Sequence, residues 1–160
     1  MARIARIIRS RDKREPNPTM VMIDAQTVRG GRFGPTFHNA GGGRGGRTVG
    51  AKRNLLIEIR GLPLAVRVDP ARPHDVTSGR ELPDEHLPEL PNVAAIVADP
   101  GYRRSCSLAL KRGVKLDIKL HLGRWRRLSR CYEGTEASAR AWLEVAAIAY
   151  LLTRLRVLPP

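Results

Sequence analysis

An α/β domain built on a mixed sheet is what this chain predicts, and three features predict it. Short runs rich in Val, Ile and Leu alternate with helical spacings over 160 residues, a length that suits one domain with a real core. Two of those runs, Val21-Met22-Ile23-Asp24 and Ile96-Val97-Ala98-Asp99, deliver an aspartate at or near a strand end. The order strand, strand, strand, helix, strand, helix, strand, helix is that of a sheet covered by helices.

Taken in order, Ile4, Ile7 and Ile8 stand at helical spacing, but the chain then meets Pro16 and Pro18, so residues 1–19 are expected to form a basic N-terminal tail. Residues 20–29 read as a strand. Residues 30–50 hold nine glycines in 21 positions, too many to order without a partner, and predict a mobile Gly/Arg-rich loop. Residues 54–60 and 64–69 alternate in polarity on either side of Gly61-Leu62-Pro63, which predicts an antiparallel pair. In residues 74–90, Asp75 and Thr77 can cap a helix while Pro83 and Pro88 limit it to short pieces. Residues 93–98 read as a buried strand, residues 102–112 as a helix stopped by Gly113, and residues 114–120 as a half-exposed strand. From Thr135, a good N-cap, one long helix is predicted to residue 157; it is apolar on most faces around residues 141–152 and is therefore expected to be buried against the sheet.

Charge narrows the function. Lys and Arg total 29 against 15 Asp and Glu, a net charge of +14 with a pI near 11.2, which calls for a polyanionic partner. Nucleic acid fits better than a membrane, because arginine dominates the excess, binds phosphate bidentately and is spread over many segments. The most apolar stretch, residues 145–152, is eight residues long, whereas a membrane span needs about 20. Cys106 and Cys131 form no metal-type pair and read as reduced thiols. No export signal is evident at the N-terminus, so a cytoplasmic, nucleoid-associated protein is expected.

Two carboxylates are the first chemical feature. Asp24 and Asp99 lie 75 residues apart, so only neighbouring strands of one sheet could bring them together to hold a divalent cation through hard oxygen ligands. The competing reading makes each a turn residue satisfying local amides. A second feature is Arg124-Trp125-Arg126-Arg127 with Arg130, an aromatic set among guanidinium groups that can grip phosphates and stack on a base. Trp125 could equally face the core while the arginines are solvated, and both readings can hold together. Residues 41–46 contain G-x-G-x-x-G without a preceding strand, and residues 45–52 fail the phosphate-loop pattern. The segment is better read as a flexible arm whose Arg44, Arg47, Lys52 and Arg53 follow a DNA backbone. His38, His74, His86 and His121 show no metal-ligand spacing.

Four blocks carry a resemblance: Ile23-Asp24-Ala25-Gln26-Thr27-Val28-Arg29; Gly45-Gly46-Arg47-Thr48-Val49-Gly50-Ala51-Lys52-Arg53-Asn54-Leu55; Ala98-Asp99-Pro100-Gly101-Tyr102-Arg103; and Gly123-Arg124-Trp125-Arg126-Arg127-Leu128-Ser129-Arg130-Cys131-Tyr132-Glu133. In this order they resemble the DDE transposases of small bacterial insertion sequences, over roughly residues 16–157. The resemblance implies a ribonuclease-H-like fold, incomplete here, with residues 20–157 as a truncated catalytic domain. It implies Asp24 and Asp99 as the first two acids of a catalytic and metal-binding triad, and Mg²⁺ or Mn²⁺ as cofactor for whatever activity is retained. It implies double-stranded DNA and transposon ends as partners, with a homo-oligomer allowed. The expected DNA contacts are Arg47, Lys52, Arg53, Arg103, Arg104, Arg124, Trp125, Arg126, Arg127 and Arg130.

The chain departs from that family at two places. The stretch W-x-V-E-x-x-x-A-x-L that bears the catalytic glutamate is absent, because Leu120 runs directly into His121-Leu122-Gly123-Arg124-Trp125. None of Asp117, Glu133, Glu136 and Glu144 has the register of that glutamate. The helical DNA-binding segment expected ahead of the first strand is also missing. The sequence therefore predicts a strand-transfer domain that is catalytically compromised. Its alternatives are a non-enzymatic basic DNA-binding remnant and an RNA-binding or ribosome-associated basic protein.

Overall fold

The computed structural model describes residues 1–30, 40–43, 46–70, 81–98 and 131–157. Within them lie α1 (Ala2–Arg11), β1 (Met20–Arg29), β2 (Ala40–Gly43), β3 (Gly46–Glu58), β4 (Pro63–Pro70), α2 (Glu81–His86), a single 3₁₀ turn at Leu87–Glu89, β5 (Ala95–Val97) and α3 (Glu136–Val157). The helix expected over residues 102–112, the strand over 114–120 and the arginine block lie outside the described residues.

β1 and β3 pair antiparallel from Val21 opposite Glu58 to Arg29 opposite Gly50. β3 and β4 pair antiparallel from Ala51 opposite Pro70 to Leu56 opposite Ala65, with an irregularity at Leu56/Ile57 before the hairpin. Gly61 turns that hairpin at φ 88°, a left-handed conformation that glycine adopts without penalty. β5 adds parallel to the other edge of β1, and β2 pairs with the start of β3. The sheet is therefore mixed, ordered β4-β3-β1-β5 through its centre. This is the α/β class the sequence predicts, and the strand order is compatible with part of a ribonuclease-H-like sheet.

Strand alternation divides the core between two faces. One face carries Val21, Ile23, Leu56 and Leu64, covered by Ala5 and Ile8 of α1 and by Leu82, Leu90 and Leu151. The other carries Val28, Leu55, Ile57, Val66 and Val68, covered by Ala139, Leu143, Ala146 and Ala147 of α3. Each leucine or isoleucine buried in full contributes roughly 1.5–3 kcal/mol. α3 starts where the sequence predicts: the Thr135 Oγ1 accepts the Ser138 amide at 3.1 Å, satisfying one of the open N–H groups of the first turn.

Three expectations are revised. The N-terminal segment expected as a tail is a docked helix, with Ala5, Ile8 and Arg9 buried along one side. Arg9 and Arg14 both ion-pair with Glu58, whose side chain is wholly buried and whose Oε2 also accepts the Arg60 amide at 2.9 Å. The supposed flexible arm at residues 45–52 belongs largely to β3, which begins at Gly46. Gly50 shows why a glycine stands in that strand: a Cβ there would meet the Val28 carbonyl oxygen at 2.0 Å, so β1 can approach only a residue without one. Finally, among the described residues α3 buries Ala139, Leu143, Ala146, Ala147 and Leu151 along one side. Trp142, Val145 and Leu152 are exposed on the other.

Candidate functional site

Asp24 occupies the middle of β1, directly opposite Leu55. By alternation it shares its face with Met22, Gln26 and Val28, the face on which α3 packs. α3 lies against β4, however, and β1 is two strands away, which leaves the Asp24 carboxylate exposed. Its Oδ1 accepts the amide of Ala25 at 2.9 Å. A carboxylate held by its own backbone and open to solvent is a hard oxygen donor suited to a divalent cation. Among the described residues no group of three or more His, Cys, Asp or Glu is placed to hold a metal ion. Asp99, the other predicted acid, lies outside the described residues.

Arg53 sits opposite Gln26 on the same face, diagonal to Asp24 across the β1/β3 ladder. It is 6% exposed, and burial pushes its guanidinium below the ordinary arginine value, against a smaller opposing effect of Cys131. Cys131 is a free, buried thiol raised above its usual range chiefly by burial; the backbone at Glu133 and the charge of Arg53 counter that rise. The Cys131 amide donates to the Arg29 carbonyl at 2.9 Å and forms a parallel bridge at Gly30, joining the approach to α3 to the end of β1.

Lys52 points to the opposite face, between Thr27 and Asp69, and is 4% exposed. Close by, Asp69 accepts from Asn54 at 2.7 Å and from Arg67 at 2.9 Å, and Arg67 bridges on to Glu81 and Glu85 of α2. Burial alone would lower the Arg67 value; Asp69 and the two glutamates outweigh it and raise it. The sequence places Lys52 and Arg53 on an open arm along DNA, whereas in the structure both side chains are buried, on opposite faces of a strand flanked by β1 and β4. The backbone of Arg47 lies in β3, paired with Gly42. Arg103, Arg104, Arg124, Trp125, Arg126, Arg127 and Arg130 lie outside the described residues. The sequence reading missed the Arg9–Glu58–Arg14 cluster, although the alternation of β3 puts Glu58 on the same face as Leu56, beside Val21 and Ile23 of β1, and a carboxylate among those apolar residues was the available signal.

No helix among the described residues is long and apolar enough to cross a membrane. Comparison with curated proteins and with solved structures found no significant match. A family model described as the transposase DDE domain does match, over residues 15–115, an interval that spans β1 to β5 and includes both Asp24 and Asp99. That match covers more than half of the chain, which thus belongs to the transposase DDE domain family.

Proposed function

We propose that this chain is the DNA strand cleavage and transfer domain of an insertion sequence, with Asp24 and Asp99 as its acidic pair and with its activity reduced by the missing glutamate. The observation that carries the reading is a register. β1 and β5 pair in parallel as Met20 with Ala95, Val21 with Ile96 and Met22 with Val97, each pair 75 residues apart. The same interval separates Asp24 from Asp99. Asp24 stands two residues beyond Met22 and Asp99 two residues beyond Val97, the last pair of that ladder, so the register suits two acids meant to work together.

A carboxylate pair in that position would hold Mg²⁺ or Mn²⁺, which supplies Lewis-acid polarisation of a phosphodiester and activation of the attacking oxygen. The residues' own contribution is to hold charge in place: Asp24 is steadied by the Ala25 amide and open to solvent, so a phosphate can approach it. Loss of the third acid costs several kcal/mol of transition-state stabilisation, roughly a thousandfold or more in rate. Duplex DNA is the substrate this reading requires, gripped by the arginines at 103, 104, 124, 126, 127 and 130.

The test is plasmid nicking by the full chain with Mg²⁺ or Mn²⁺. Slow nicking that Asp24→Asn and Asp99→Asn each abolish, with DNA affinity unchanged, supports the proposal. Tight binding without any nicking replaces it with the non-enzymatic DNA-binding reading. A strong preference for single-stranded RNA over duplex DNA at equal salt replaces it with the RNA-binding one.

A further inference from the structure

The parallel ladder of β1 and β5 is weakly specified by its own side chains. It holds three pairs, Met20 with Ala95, Val21 with Ile96 and Met22 with Val97. The firmest mark of face in β5 is Ile96, fully buried in the cluster that includes Ala5 and Ile8 of α1, and a slip of one residue would turn it to the opposite face. A slip of two residues meets no such opposition. Ala94 and Ala98 stand two positions either side of Ile96 and would follow on its face. Such a slip moves β5 by about 6.6 Å along β1, more than the spacing of about 3.5–4 Å between the metal ions of a phosphodiester site. Something other than the apolar pattern must then fix the register.

We propose that Arg6 fixes it, and so acts as a positioning residue for the acid pair; the second half of this statement rests on the reading of Asp24 and Asp99 given above. Arg6 reaches from α1 to the approaches of both strands. Its Nε donates to Asn17 Oδ1 at 2.9 Å, three residues ahead of β1, and its Nη2 donates to the Glu89 carbonyl, six residues ahead of β5. Both approaches are stiff, so what is held at these atoms is passed on to the strands. Asn17 stands between Pro16 and Pro18, each with a locked φ. Beyond Glu89, the Leu90 amide donates to the Leu87 carbonyl at 2.9 Å and the Val93 amide to the Leu90 carbonyl at 3.1 Å, with Leu90 buried. The two approaches meet where the Thr19 carbonyl accepts the amides of Ala94 and Ala95. A guanidinium suits the task because its N–H groups diverge from one rigid plane and hold two acceptors at a set separation, which an ammonium on a flexible stem does not. α1 and the turn after it are anchored elsewhere, by Arg9 and Arg14 on Glu58 and by Arg11 on the Leu155 carbonyl, so Arg6 works from a fixed support.

The test is disulfide closure in the full chain carrying Met22→Cys and Val97→Cys, with Cys106→Ser and Cys131→Ala, because register partners on strands about 4.8 Å apart lie within reach of an S–S bond. Rapid closure under oxidised glutathione is expected. Arg6→Ala and Asn17→Ala should each slow it roughly tenfold, the shift that loss of a charged hydrogen bond allows. Asn17→Ala decides the matter should Arg6→Ala not fold. Two further variants separate positioning from general stability. Asn17→Asp keeps an acceptor for Nε and should close at the parent rate; Arg11→Ala releases the same helix from α3 instead and should do so too. Plasmid nicking is read beside closure, and Arg6→Ala should slow it with DNA affinity unchanged. A parent chain that closes the bond but never nicks defeats the acid-pair reading and leaves closure to decide the role of Arg6. A parent that does not close overturns the proposal, as do Arg6→Ala and Asn17→Ala closing as fast as the parent, Arg11→Ala slowing closure equally, or Asn17→Asp failing to restore it. Nicking by Arg6→Ala at the parent rate overturns it as well.

Discussion

Glu58 is wholly buried and tied to two arginines from the far end of the chain, Arg9 and Arg14. The arrangement balances one carboxylate against two guanidinium groups, and burial pushes Arg9 below its ordinary value even though Glu58 opposes that shift. A neighbouring residue supplies a cleaner test. Lys13 ends α1 at φ 55°, the position where the Lys13 amide donates to Ser10 and the Arg14 amide to Arg9, a terminator that usually employs glycine. Lys13→Gly should therefore raise stability by about 0.5–1 kcal/mol in urea unfolding. The thiol of Cys131 offers a second. Its value is raised above 9.0 chiefly by burial, so the native state keeps the proton where the unfolded chain has lost it, and stability falls as pH climbs from the ordinary thiol value towards the raised one. The loss in unfolding free energy between about pH 8 and about pH 10 should be smaller in Cys131→Ala than in the parent chain.

At the scale of elements, the strands that alternate cleanly were legible in the amino-acid order. β1 runs from Met20 to Arg29 as predicted, and the antiparallel hairpin folds about Gly61. The first half of β3 was not legible, since its glycines argue for disorder when read alone; only the carbonyl of Val28, distant in sequence, explains Gly50. Gly50→Ala should break the pairing at that end of β1 and lower the melting temperature, with a cost of several kcal/mol set by backbone against backbone. The start of α3 was legible because capping is local. Thr135→Ala should cost about 1 kcal/mol and fray the first turn, measurable as faster amide exchange there. That α3 leaves Trp142, Val145 and Leu152 exposed was not legible, because an apolar residue carries no mark of which surface it will meet.

Across the whole molecule, the proposed binding of duplex DNA draws on a net charge of +14. Because the side chains of Lys52 and Arg53 are buried, binding should depend on the arginines nearer residue 124. Replacing Arg124, Arg126 and Arg127 with alanine should reduce the log-log salt slope of duplex DNA binding by roughly 2 to 3, at about 0.9 per phosphate contact, while Lys52→Ala leaves it unchanged. The strand that carries Asp24 was legible from its apolar run, and the exposure of that carboxylate follows from the distance between β1 and the helix that covers β4. The pairing of β1 with β5 could not be read locally, since parallel neighbours are set by long-range topology. One modest contact reaches further than its size suggests. The amide of Cys131 is moored to the carbonyl of Arg29, so the stretch that leads into α3 is anchored on the far end of the first strand. The last helix is therefore berthed at two places, at the tip of β1 and by its own apolar side against the sheet.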